Sequence, residues 1–169
     1  MVITFYVSAA VAIIATAMAI SRSNGVHALL YLIVSLLAVA LVFFVIGAPF
    51  IAALEVIIYA GAIMVLFIFA AMMFNLGQQS VPQERGWLRP GMWIIPSVLT
   101  AILLAQLIEL IVAGGGQSLA SGTSTPQEVG VALFAPYLLG VELASLLLLS
   151  GLVGAYHIGR HLRGSDAAP

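Results

Sequence analysis

Five long apolar runs dominate this sequence, at residues 1–20, 26–46, 51–74, 92–113 and 133–157, and each can cross a bilayer. A hydrocarbon core of roughly 30 Å takes about 20 residues of α-helix. Lipid offers no partner to an open strand edge, so such runs must be helices. With 63% hydrophobic and 7% charged residues, the chain carries more apolar side chain than a water-exposed fold can hide. The expectation is an all-α integral membrane protein of five transmembrane helices, residues 1–169 forming a single membrane domain with no soluble domain.

The breaks between runs carry turn chemistry: Ser21-Arg22-Ser23-Asn24-Gly25, Gly47-Ala48-Pro49, Asn75 to Gly91, and Gly114 to Gly130. The first twenty residues lack a basic n-region and a plausible cleavage site, so they read as a retained span. Five spans place alternate breaks on opposite sides, and every arginine then falls on one side: Arg22, Arg85, Arg89, Arg160 and Arg163. The positive-inside rule assigns that side to the cytoplasm. The amino terminus is expected in the periplasm and the carboxyl terminus in the cytoplasm. Residues 114–132, rich in Gly, Ser and Thr, read as an outer loop, and 158–169 as a cytoplasmic tail.

Several function classes drop out on composition. No cysteine is present, which excludes disulfides, thiolate zinc sites and cysteine-ligated iron–sulfur clusters in this chain. A net charge of −1 without any lysine leaves no basic surface for nucleic acid. There is no phosphate-cradling glycine loop and no nucleophile beside a base, so no catalytic residue is assigned. His27, His157 and His161 lie near the cytoplasmic boundary without metal-ligand spacing and read as interfacial, as do Gln106 and Glu109 near the outer end of the fourth span. The methionines read as adaptable packing.

Two acids inside apolar helices carry the functional signal. Glu55 lies about one turn inside the third span, IAALEVIIYAGAIMVLFIFAAMMF. A carboxylate near a helix centre costs on the order of 2.5–3.5 kcal/mol on insertion scales, less toward the interface, so it needs protein or water beside it. Tyr59 follows at i+4 on the same face, where a phenol can donate to the acid or extend a water chain. The plainer alternative has Glu55 reaching the outer interface and Tyr59 in an aromatic belt. Ala60-Gly61-Ala62 permits either close helix packing or a departure from α geometry. Glu142 lies deeper in the fifth span, LFAPYLLGVELASLLLLSGLVGAYHIG, where an interhelical hydrogen bond is the structural alternative.

The third span, Glu55-Val-Ile-Ile-Tyr59-Ala-Gly61-Ala62-Ile-Met-Val65-Leu-Phe67-Ile-Phe69 followed by Met72, resembles the signature helix of the J-subunit family of bacterial proton-pumping NADH:quinone oxidoreductase, respiratory complex I. The fifth span resembles that family's last helix in Leu133-Phe134, Tyr137-Leu138, Glu142-Leu-Ala-Ser145, Leu147 to Leu149 and Val153-Gly154-Ala155. Gly140-Val141 stands where many members have Pro-Phe. The resemblance implies a membrane-arm subunit in the bacterial inner membrane, held in a hetero-oligomer with other hydrophobic subunits and the lipid bilayer. It implies no cofactor in this chain, with NADH, FMN, iron–sulfur clusters and quinone on partner subunits. It further implies a π-bulge near Tyr59 to Val65 that relaxes to α-helix. Glu55, Tyr59, Gly61, Val65, Phe69, Met72 and Glu142 would then form a proton path and gate. The competing reading is a scaffold subunit of a related cation/proton antiporter or membrane-bound hydrogenase complex.

Overall fold

A computed structural model of the chain describes residues 1–22, 25–74, 90–114 and 124–165. Residues 23–24, the break with Arg85 and Arg89, residues 115–123 of the stretch read as outer loop, and the last four residues lie outside the described residues. All regular structure among the described residues is helical. Five helices are long and apolar enough to span a membrane, running Val2–Ser21, Gly25–Val45, Pro49–Met73, Trp93–Val112 and Leu138–Arg160. The chain divides into two compact units, Met1–Ser124 and Thr125–Pro169.

In the first unit, α1 (Val2–Ser21) and α2 (Gly25–Val45) form a hairpin. The residues α1 buries, Thr4, Ser8, Val11 and Ala15, repeat every three to four positions and so lie on one stripe. Helix α2 answers with His27, Tyr31, Val34, Ser35, Ala38 and Leu41. Tails of lipid are as apolar as these side chains, so association depends on close packing and hydrogen bonds. Small residues provide the first, with Ser8, Ala15 and Ala38 all at 0% exposure. Helix α5 (Pro90–Gly114) closes the core with Leu99 and Leu103.

The third span is segmented. A turn with Gly47 at φ 92°, a conformation that favours glycine, leads from α2 into α3 (Pro49–Leu54). That turn is tied down by the Ala48 N–H donating to Phe43 O at 3.0 Å and the Ser124 N–H donating to Gly47 O at 3.1 Å. Pro49 starts the helix without loss, since its missing N–H belongs to the first turn. A π-helical segment, Glu55–Ile63, follows, and α4 (Met64–Phe74) completes the span.

The second unit contains α6 (Pro126–Phe134) and α7 (Leu138–Ser165). Its fifth-span helix begins at Leu138, five residues beyond the apolar run's start at 133. Pro136 explains the difference: it offers no N–H, and it disfavours helical geometry at Ala135, which sits at φ −117°, ψ −87°. Helix α6 occupies part of the stretch read as outer loop. Its start is a capping box, in which the Glu128 N–H donates to Thr125 Oγ1 at 3.2 Å and the Thr125 N–H donates to Glu128 Oε2 at 2.9 Å. Replacing such a cap costs about 1 kcal/mol. Thr125→Ala is therefore expected to speed amide exchange at Glu128 and Val129 by about fivefold. Unchanged exchange there would remove the box as the reason α6 forms.

Candidate functional site

The third span concentrates five of the polar and small residues singled out in the sequence on one stretch of irregular helix. At its lower boundary the Met64 N–H reaches Tyr59 O, five residues back, as well as Gly61 O. This i to i−5 pairing defines π geometry, which is frequent at functional sites. Gly61 lies inside the segment. A Cβ built there would sit 3.2 Å from the Val56 carbonyl oxygen, a tight approach that would make the turn give by a few tenths of an ångström.

Glu55 and Tyr59 fall in this segment, with Glu55 half-buried and Tyr59 49% exposed. Below it, Met64 is buried at 6% exposure, whereas Val65, Phe69 and Met72 are 45%, 62% and 57% exposed. Helix α4 thus turns Met64 inward and holds Val65, Phe69 and Met72 on another side. These three recur at spacings of four and three, which places them on one helical face. Glu142 is on α7 in the second unit, and the Ser145 hydroxyl donates to its backbone oxygen at 2.8 Å.

The most ordered polar contacts lie elsewhere. The Ser8 hydroxyl donates to Gln106 Oε1 at 2.7 Å, joining α1 to α5 in the buried core. The Thr16 and Ser35 hydroxyls meet at 2.7 Å, and Ser35 also donates to Ala12 O at 3.2 Å. Two sequence readings change here. Gln106 is 8% exposed and holds helices together, and His27 is 4% exposed with its ring 5.9 Å from that of Trp93. Glu109 is exposed. The spacing of Thr4, Ser8 and Thr16 along a mostly apolar α1 was the available signal for a polar stripe.

No three His, Cys, Asp or Glu side chains come together as a metal site among the described residues. The segment presents an irregular helix, an acid and a phenol, followed by a bulky apolar face.

Comparison with known proteins supplies the relationship. Residues 15–158 match the family of NADH-ubiquinone/plastoquinone oxidoreductase chain 6. The chain is 55% identical over 157 residues to NADH-quinone oxidoreductase subunit J of Pseudomonas aeruginosa, covering 92% of this chain and 95% of that one. Against the subunit J of Escherichia coli (strain K12) the identity is 51% over 162 residues, covering 96% and 88%. The subunit J of Buchnera aphidicola subsp. Schizaphis graminum is 48% identical over 156 residues, covering 92% and 96%. With five membrane-length helices and a match that runs from the last turns of the first nearly to the end of the fifth, the chain belongs to the NADH-ubiquinone/plastoquinone oxidoreductase chain 6 family.

Proposed function

We propose that this chain is the J subunit in the membrane arm of a proton-pumping NADH:quinone oxidoreductase of the bacterial inner membrane, and that its third helix is a conformational gate for water and protons. The π segment Glu55–Ile63 carries this reading. The amino terminus lies in the periplasm and the carboxyl terminus in the cytoplasm, as the arginines at 22, 85, 89, 160 and 163 favour. Other hydrophobic subunits surround it. The iron–sulfur clusters sit on partners, because this chain has no cysteine to hold one, and NADH, FMN and quinone are assigned to partners with them. Its contribution to the enzyme is to couple quinone reduction to proton movement through a change of shape.

The rotation follows from helix arithmetic. A π segment accommodates one residue more than the α-helix it replaces, so relaxing it turns everything beyond by about 100°. The Gly47 turn and the buried Ala52 anchor α3, which leaves α4 as the part that turns. Each position on α4 then passes to the residue one earlier in sequence. The face that presents Val65, Phe69 and Met72 comes to present Met64, Ile68 and Ala71. Val gives way to Met, Phe to Ile and Met to Ala, so the face thins over its last two turns, and water gains room along it beyond Glu55 and Tyr59. Glu142 stands as a second acid of the path on the fifth helix.

Val65→Leu adds one methylene to that face. Overpacking of this size costs about 1 kcal/mol, which corresponds to about a fivefold fall in NADH-driven proton pumping by membrane vesicles. Unimpaired pumping with a fully assembled enzyme would sink the gate.

A further inference from the structure

The same arithmetic says where the displaced ring goes. A groove of about 590 Å³ lies between α1, α2 and α4. Its walls on α1 and α2 include Ala19, Gly25 and Ala28, and α4 contributes Phe67, Ala70 and Ala71. Two adjacent alanines on α4 and the small residues of the hairpin leave the space, with Ile20, Leu29, Leu32 and Phe67 as its bulkier borders. Close packing is the rule inside helical proteins, and a cavity of roughly 150 Å³ already holds a benzene ring.

We propose that this groove is a preformed seat for the ring of Phe69, filled when the third helix leaves the π register. The inference rests on the gate reading above and adds to it the resting place of the ring and hence what holds the second state. In the π register Phe69 is 62% exposed and Ala70 borders the groove. After a one-residue shift, the position of Ala70 passes to Phe69, that of Ala71 to Ala70, and that of Phe67 to Leu66. A phenyl ring therefore replaces a methyl group where the neighbours on α1 and α2 leave room for it. Without that room the α register would drive Phe69 into the α1–α2 hairpin, whose core contains fully buried Ala15 and Ala38. Both registers can then pack well, a requirement for an element that switches between two discrete arrangements.

The wild-type chain has no cysteine, so Ala28→Cys introduces a single thiol in this subunit on the lining of the groove. The assembled enzyme in inverted vesicles is treated with benzyl methanethiosulfonate, which places a ring in the seat after folding is complete. Modification of that thiol, followed by mass, is expected to cut NADH-driven pumping by about tenfold, as for a population locked in one register. Complete modification with pumping unchanged would overturn the seat. A second arm adds Gly61→Val, which disfavours the π register. Phe69 then occupies the groove, and the thiol is expected to react about tenfold more slowly. If Gly61→Val abolishes pumping but leaves the thiol's rate unchanged, the seat is wrong and the gate stands. If Gly61→Val pumps normally, the gate itself is wrong.

Discussion

Gly61→Val is expected to abolish most NADH-driven proton pumping while leaving the amount of assembled enzyme unchanged. The reason is local. The Val56 carbonyl oxygen lies 3.2 Å from where a Cβ at position 61 would be, and it lies there because the π segment pairs residues five apart. In α geometry the carbonyl of residue 56 turns toward the N–H of residue 60, four positions on, and the crowding is relieved. A side chain at 61 therefore crowds the π register. Forcing atoms into a packed site costs about 1–3 kcal/mol, which moves a two-state equilibrium by roughly 5- to 150-fold. Alanine should lie at the low end and valine, branched at Cβ, at the high end. Acidification of inverted vesicles, normalised to the subunit content of the membrane, measures the effect. Pumping by Gly61→Val within about twofold of wild type would show that the register at residue 61 does not matter to the enzyme.

Why the π segment escapes a reading by composition follows from the same residues. IAALEVIIYAGAIMVLFIF contains no proline after Pro49 and no run of β-branched residues dense enough to break a helix. Hydropathy reports that the stretch is in the membrane, yet it is equally high in α and π geometry. The local cue is Gly61, and a glycine in a membrane helix is as well explained by close packing. The helix α6 was more accessible. Thr125-Pro126-Gln127-Glu128 has the spacing of a capping box with proline in the first turn, but the Gly/Ser/Thr composition just before it favoured a loop. The five spans themselves were plain, because about 20 apolar residues have one solution in lipid. What such a pattern omits is which side of each helix faces its neighbours, and that is decided by partners far away in sequence.

Gln106 shows this most clearly, and it sets the second large effect. Its partner is Ser8, 98 positions away, and the contact joins α1 to α5 within the core. The two ends of this bond are not equivalent. Ser8 deprived of Gln106 can turn its hydroxyl to a backbone carbonyl one turn earlier, as serine does in helices. Gln106 deprived of Ser8 keeps a carboxamide in an apolar interior, and an unsatisfied buried group costs about 1–3 kcal/mol. Ser8→Ala should therefore destabilise the subunit more than Gln106→Leu does. Removing both polar groups should restore part of the loss, since two apolar residues of suitable size can replace a buried pair at little cost. Measured couplings of this kind inside membranes average about 0.6 kcal/mol and reach about 1.7. The buried position of both residues, with Ser8 at 0% exposure, favours the upper part of that range. Thermal survival of the assembled enzyme in detergent, compared across the two single variants and the double, closes the cycle. Losses that add independently would mean the 2.7 Å contact contributes no coupling, and the frame against which α4 turns would then owe its rigidity to the packing of Ala15 and Ala38 alone.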